Sequence, residues 1–467
     1  MTARALGPDD LGVLSLASTI IGWCSVIFGL GLNLSIGRFI GENIGRPDIV
    51  RRGFRWTVRL GIWAGSVGAG LLVLSSFPLG RQILHQPKLI LVLIILAVCL
   101  PFDIIKEIGS KASLGFGLVK ENVFILGIVV PVSWTIMVGL AWALKLGLYE
   151  MAWIMTISTI VAGLGSYLSF RSKVGGWSRS DLPFDGRPIV NIALVLLISN
   201  LAYSIWLKLD NLFLGLFWTS REIGLYAPAF QTSYLLTYLN AAISALFSPT
   251  VATLLSKGQN KELNNLSQDA SSWCLYGNLS LAITLFLGAE PFLGLFGADF
   301  VAPEAITALR ILVVFFLIYS LIGAMPFILL AMGGKQRYLA KIEAFLIFCA
   351  MLFHFVFTRS YGVIGAAIST GLALTVAGLL RCFAVKRAFG FLGIDRSIWK
   401  AIVVAVGAYG AAQGSVLLLP DVVPVVKLGI IFLSATGAEM LMLLATRERS
   451  TLSLLHAIAR RLQQRSA

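Results

Sequence analysis

Runs of about twenty apolar residues recur along the whole chain, separated by short polar segments. Each run is long enough to cross a ~30 Å hydrocarbon core as a helix. The pattern predicts thirteen spans, near residues 10–32, 56–78, 89–109, 122–144, 148–169, 189–217, 225–250, 272–296, 306–332, 338–357, 361–383, 398–419 and 425–446. Pro101, Pro131, Pro228 and Pro326 fall inside spans. Each removes a backbone donor and allows a kink there.

The basic residues fall in alternate loops. Of the 37 Lys and Arg, 28 lie on one side and 9 on the other. The richer side includes the run from Arg38 to Arg59 and the tail beyond Arg447. The positive-inside rule makes that side cytoplasmic and places the C-terminus inside. With thirteen spans the N-terminus is then expected outside.

The two halves of the chain repeat each other. Asp10, Gly12, Leu14 and Ala17 open the first span, and Glu222, Gly224, Tyr226 and Ala229 open the seventh at an offset of 212. Gly45–Asp48 and Gly258–Lys261 follow the next helix of each half, and Gly147–Ala152 and Gly362–Ala367 introduce a later one. Within that helix, Val161–Leu164 matches Val376–Leu379 at an offset of 215. A near-constant offset with preserved orientation means two parallel six-helix lobes followed by an extra pair. Shifting the span 189–217 back by 212 places its partner before Met1, so the first helix of the first lobe is expected to be missing. The expected organisation is an N-terminal lobe over 1–170, a cytoplasmic joint over 171–188 and a C-terminal lobe over 189–390. A transmembrane pair over 391–446 follows, then a basic tail over 447–467 with Leu452, Leu455, Ala459 and Leu462 on one helical face.

Composition agrees with this all-α polytopic membrane fold. Hydrophobic residues make up 58% and charged residues 13%, against about 25% charged in globular chains, and mean hydropathy is +0.88. The net charge of +15 would ordinarily raise nucleic acid as a partner. Its confinement to alternate loops makes it a topology signal instead, so no nucleic acid is expected. The five cysteines are scattered through apolar runs and the three histidines are isolated, so no metal site or cofactor is expected. Gly333-Gly334-Lys335 lacks the rest of a phosphate-binding loop, so direct use of ATP is not expected.

Arg4, Leu6, Gly7, Pro8, Asp9 and Gly12 form an opening that resembles the polysaccharide repeat-unit flippases of the MOP exporter superfamily, the Wzx-like proteins. An intramembrane Asp210 before the turn containing Glu222, Gly224, Tyr226 and Ala229 is similar to the same family. So is Tyr361-Gly362 followed by Gly365, Ala366 and Ala367. The resemblance covers essentially the whole chain. It implies a transporter rather than an enzyme, moving polyprenyl-diphosphate-linked oligosaccharides from the inner to the outer leaflet of the cell (inner) membrane by alternating access of two lobes. Polysaccharide polymerase machinery and membrane lipid are the partners it implies. The family pattern is fourteen helices, one more than here.

Charges inside spans are the candidates for a transport path, since each costs ~2.5–3.5 kcal/mol at mid-bilayer unless it faces protein or water. Lys208 lies about nine residues, some 14 Å, from the outer end of its span. It either attracts an anionic diphosphate or sugar, or snorkels outward. Asp210 points to a different face, as a structural partner between helices or as part of the site. Arg310 sits about a turn inside its span, where snorkelling competes with lining a cavity. Arg38, after Asn33, ends the first span and could receive the diphosphate at the cytoplasmic face. Gln231 and Asn240 are nine residues apart on one predicted helix and face opposite sides. Asp103, Lys106 and Glu107 are expected as a satisfied cluster at a cytoplasmic helix end, and Glu439 is a deep carboxyl in the last span.

Other functions compete. A multidrug or cation antiporter of the same superfamily should gather several buried carboxylates in one lobe, whereas this chain has a surplus of cations. A lipid II flippase shares the anionic lipid-linked substrate. A membrane glycosyltransferase or ligase would need a large external loop or acidic motifs in cytoplasmic loops, and Asp9-Asp10 is the only adjacent acidic pair.

Overall fold

A computed structural model of the chain describes residues 2–174, 184–206, 208–393, 398–418 and 423–445. Residues 175–183 of the expected joint and the tail over 447–467 lie outside the described residues. Among those described, the regular elements are helices only.

The chain divides into two compact units, Met1–Gly224 and Leu225–Ala467. The first contains α1 (Thr2–Phe28), α2 (Leu32–Glu42), α3 (Pro47–Pro78), α4 (Pro87–Ala97) and α5 (Leu100–Gly115). It continues with α6 (Val119–Phe124), α7 (Val130–Ala143), α8 (Leu148–Lys173), α9 (Arg187–Trp206) and α10 (Leu209–Phe217). α11 (Ser220–Tyr234) runs from the first unit into the second. There follow α12 (Leu236–Ser256), α13 (Asn260–Leu287), α14 (Ala289–Gly294), α15 (Pro303–Ile322) and α16 (Ala324–Met332). The last are α17 (Gln336–Phe353), α18 (Arg359–Phe389), α19 (Ile398–Leu418) and α20 (Pro424–Ala445). The helices α9 and α10, which the repeat assigns to the second half, group with the first unit.

Among the described residues ten helices are long and apolar enough to cross a membrane, or eleven if the bent pair α4–α5 is one span. This differs from thirteen at two places. The helical stretch 337–389 holds two predicted spans, and the chain turns between them at Gly362, whose backbone leaves the helical region at φ 54 and ψ −127. The predicted span 189–217 is carried by two helices, α9 and α10, with the backbone leaving the helical region at Lys208 (φ −131, ψ 11).

Several predicted spans are bent where the sequence weakens the backbone ladder. α1 and α2 are parted by Gly29-Leu30-Gly31, with Leu30 and Gly31 both in the left-handed region. α4 and α5 meet at 50°, with Pro101 in the first turn of α5. Proline is tolerated there because that N–H has no partner within the helix anyway. α15 gives way to α16 at Gly323, and Pro326 follows in the first turn. Single π-turns at Ile125–Val129 and His354–Thr358 occupy matching helices of the two halves.

Each unit has its own core. In the first, Leu32, Ile36 and Ile40 of α2 pack with Phe54 of α3, Ile104 and Ile108 of α5, and Phe170 of α8. In the second, Val251 of α12, Leu263 and Cys274 of α13, Leu329 of α16 and Val385 of α18 form the corresponding cluster. The helices supplying the two cores are related by the sequence repeat. A further cluster joins α13 to α19 and α20 through Leu279, Ile283, Val404, Ala408, Ile431 and Ala435. Glu439 is buried beside it, and its carboxyl accepts a hydrogen bond from the Ser280 hydroxyl.

Asn240, Asn278 and Ser320 are all buried and satisfy one another. Asn278 Nδ2 donates to Asn240 Oδ1 at 2.9 Å and to Ser320 Oγ at 3.1 Å, while Asn240 Nδ2 donates to Ser320 Oγ at 3.0 Å. Asn278→Leu leaves the Asn240 carbonyl without that donor, at a cost of about 1–3 kcal/mol. The thermal unfolding midpoint in detergent should therefore fall by several degrees. An unchanged midpoint would show that the network contributes nothing.

Candidate functional site

The break between α9 and α10 is the point around which the polar groups of the first unit gather. Interrupting a helix inside hydrocarbon frees carbonyls on one side and N–H groups on the other, and no water is at hand to pair them. Neighbouring side chains answer both needs. On the α9 side, Trp23 Nε1 of α1 donates to the Ser204 carbonyl at 3.1 Å. On the α10 side, Asp210 lies in the first turn, and its Oδ1 accepts the N–H of Asn211 at 2.8 Å. A carboxylate there also meets the positive end of the helix dipole.

Asn211 is itself buried, and its Nδ2 donates to Thr19 Oγ1 at 3.0 Å. Thr19 and Trp23 are four residues apart and so share one face of α1. That face therefore serves the broken helix at both ends.

Lys208 stands at the N-cap of α10, half-buried, nine residues before the end of that helix. Among the described residues no carboxylate lies within 4 Å of its ammonium. Asp210 accepts the N–H of Asn211 within its own helix. A cation beside the N-terminus of α10 makes the break electropositive, the local chemistry that holds a phosphate.

A second polar cluster lies in the same unit. Asp103 accepts hydrogen bonds from Ser25 Oγ of α1 and from Lys106 Nζ, both at 2.5 Å. Glu107 stands 3.8 Å from the same ammonium. The cluster is satisfied, as expected, but its place differs. α5 runs on to Gly115, so Asp103 lies about three helical turns before its end rather than at it. Ser110 and Ser113 extend the helix as buried residues beyond the point where the hydropathy run ends.

The other candidates are not brought together with Lys208. Arg38 is exposed and paired with Glu42 at 2.8 Å. Asn33, at the start of α2, accepts the N–H of Leu34. In the second unit Arg310 donates from Nε to the Phe286 carbonyl at 3.1 Å and lies over the Phe286 ring, capping the last turn of α13. Gln231 is exposed at the end of α11, whereas Asn240 is consumed in the buried triad.

One buried charge was not among the residues singled out in the sequence. Arg381 is 4% exposed, bonded to Glu343 at 2.6 Å and to the Tyr319 hydroxyl at 3.1 Å, with the Phe327 ring 5.2 Å away. It ties together four helices of the second unit.

The sequence pattern of the polysaccharide biosynthesis protein family matches residues 1–300. The chain belongs to that family. An uncharacterized membrane protein of Methanocaldococcus jannaschii is 21% identical over 410 residues, covering 83% of this chain and 92% of that protein. The capsular polysaccharide biosynthesis protein CapF of Staphylococcus aureus is 27% identical over 186 residues, covering 39% of this chain and 44% of CapF.

Among solved structures, an inward-facing multidrug resistance MATE family transporter of the MOP superfamily is similar with a TM-score of 0.65 at 17% identity, over 83% of this chain and 93% of that one. The lipid II flippase MurJ in an inward closed conformation is similar with a TM-score of 0.58 at 15% identity, over 94% and 97% of the two chains. These likenesses show that the chain shares the fold of those two structures. This member of the polysaccharide biosynthesis protein family is thus a polytopic helical protein by its fold.

Trp23→Phe keeps the aromatic bulk and removes the donor to Ser204. Leaving that carbonyl unpaired in a dry site costs about 1–3 kcal/mol, so the unfolding midpoint should fall. A midpoint equal to the parent's would mean that another donor replaces the indole.

Proposed function

We propose that this chain moves polyprenyl-diphosphate-linked oligosaccharide repeat units from the cytoplasmic to the outer leaflet, for assembly of a surface polysaccharide. The observation that carries the reading is Lys208. It is an ammonium at a broken helix, nine residues inside the span, with no carboxylate within 4 Å among the described residues. A cation placed this way favours an anionic headgroup, whereas a cation or drug antiporter calls for several buried carboxylates gathered in one lobe, and this chain has a surplus of cations instead. Family membership and the CapF likeness support a polysaccharide rather than a cell-wall precursor as cargo.

In this reading the lobes are the stretches 1–170 and 189–390, joined through 171–188 and followed by the pair over 391–446. They alternate access around the path while the polyprenyl tail stays in lipid. The chain sits in the inner (plasma) membrane with its C-terminus in the cytoplasm, as the distribution of Lys and Arg supports. Arg38 receives the diphosphate at the cytoplasmic end of the path. Its exposed pair with Glu42 is of the kind that contributes little, so exchange for a phosphate is easy. Delivery to a polysaccharide polymerase on the far side completes the task.

Deletion of the gene should strand lipid-linked repeat units in the inner leaflet and abolish the surface polymer. Unchanged polymer with no stranded intermediate contradicts the assignment. In a complemented strain, Lys208→Ala should lower export without lowering membrane abundance. Hydrogen bonds to charged groups are worth about 1.5–3 kcal/mol, so the loss should be roughly tenfold or more. Full export by that variant removes Lys208 from the path.

A further inference from the structure

Tyrosines in membrane proteins gather where hydrocarbon meets water, because the ring is apolar and the hydroxyl needs a partner. Tyr234 and Tyr238 depart from this. They fall near the middle of the predicted span 225–250, where α11 passes into α12 within one apolar helical stretch, Ser220–Ser256. By helical rise Tyr238 lies about 20 Å from the start of that span, and Gln231 about 9 Å.

Gln231, Tyr234, Tyr238, Ala241, Ala245 and Ser248 follow one another at spacings of three and four residues, so they form one stripe along the helix. Gln231, Tyr238, Ala241 and Ala245 are exposed, Tyr238 by 63%, and Tyr234 and Ser248 are half-buried. Among the described residues, no hydrogen bond reaches the Gln231 amide or either tyrosine hydroxyl. A face suited to lipid looks different in this chain. α7 exposes Val132, Ile136 and Leu140, all apolar. On α11 and α12 that role falls to Leu235 and Leu246, beside the stripe. An amide and two phenol hydroxyls left unpartnered in hydrocarbon would each cost as much as a lost hydrogen bond. The stripe therefore belongs to a wet surface, and something polar takes up its hydrogen bonds.

The rings are also braced. Tyr234 stacks on Phe230 with 5.7 Å between centroids and meets Tyr238 edge-on at 6.0 Å. Phe316 of α15, itself buried, lies edge-on to Phe230 at 6.1 Å and to Tyr234 at 6.0 Å. A fixed aromatic surface loses little entropy when a ligand covers it.

This combination fits a saccharide. A pyranose has a C–H face that packs on an aromatic ring and a rim of hydroxyls that both donate and accept. Water alone would satisfy the amide and the hydroxyls but makes no use of braced ring faces. A diphosphate calls for cations, and the stripe carries none. A polyprenyl tail would leave the amide unpaired.

We infer that this stripe of the second unit is a contact surface for the sugars of the lipid-linked repeat unit. Tyr234 and Tyr238 stack on pyranose rings, Gln231 bonds their hydroxyls, and Ala241 with Ala245 keeps the strip beside the rings shallow. The inference rests on the flippase reading and adds to it a site for the saccharide part of the cargo.

The test uses the full chain, freed of its five native cysteines, in sealed membrane vesicles of either orientation. It carries Tyr238→Cys, Ala245→Cys or, as a lipid-side control, Leu246→Cys. A charged, membrane-impermeant thiol reagent should label the first two and spare the third. The probes are lipid-linked repeat units extracted from cells lacking the gene, and polyprenyl diphosphate bearing no sugar. At about twice its Kd the sugar-bearing lipid should slow labelling of Ala245→Cys roughly threefold by simple occupancy, and the bare lipid should leave it unchanged. Exclusion of the charged reagent from both cysteines overturns the proposal, as does equal protection by the bare lipid.

In cells, Tyr238→Phe keeps the ring and should retain most export. Tyr238→Leu removes the ring and should lower export roughly three- to tenfold at unchanged membrane abundance. Parental export by Tyr238→Leu contradicts the stacking role. Should Tyr238→Leu fail to accumulate, protection of Ala245→Cys decides the question alone.

Failure of the flippase reading shows separately, as absence of stranded lipid-linked intermediates after gene deletion. Stranded intermediates with an unprotected stripe count against the saccharide surface alone.

Discussion

In hydrocarbon every backbone N–H and carbonyl must find a partner within the protein, and this constraint shapes the first unit more than any other. The α9–α10 break violates the simplest solution, an unbroken helix, and the surrounding residues are arranged to repair it. The Trp23 indole serves the Ser204 carbonyl, Asp210 serves the N–H of Asn211, and Thr19 holds the Asn211 side chain. Three polar side chains and a buried carboxylate are a large commitment to an irregularity. What the irregularity provides is an ammonium at depth that is not neutralised within 4 Å among the described residues, next to a helix N-terminus. A continuous helix would present Lys208 with no such dipole beside it.

Duplication supplies the rest of the architecture. The same helices of each half build the two cores, and π-turns occupy matching helices. Polar residues have diverged between the halves. The first unit carries the broken helix and the Asp103–Lys106–Glu107 cluster. The second carries the neutral Asn240–Asn278–Ser320 triad and the paired Arg381, each fully enclosed. In the second unit the polarity found in the core serves cohesion. In the first unit Lys208 has no carboxylate within 4 Å among the described residues.

Much of this was legible in the residues. Hydropathy located most of the long helices, though α2 (Leu32–Glu42) lies beyond the first predicted span, and the depth of Lys208 followed from counting back from Phe217. The break itself was harder to see, because no glycine or proline marks it. Asp210-Asn211, helix-starting residues inside an apolar run, were the available signal. The donor that repairs it comes from 181 residues away, which no local pattern contains. The depth of Asp103 was misplaced because α5 continues through serines that lower hydropathy yet bury well. Arg381 was hidden by its position near a basic loop. The sequence offset of 212 was plain from the start.

The central claim is that Lys208 faces a wet, anion-accepting path rather than lipid. The most direct measurement is the reactivity of Lys208→Cys, in an otherwise cysteine-free chain, in sealed membrane vesicles. A charged, membrane-impermeant thiol reagent should label it, and lipid-linked saccharide should slow that labelling. Labelling only by a lipid-soluble maleimide, with the charged reagent excluded, would place the side chain in the bilayer and contradict the account.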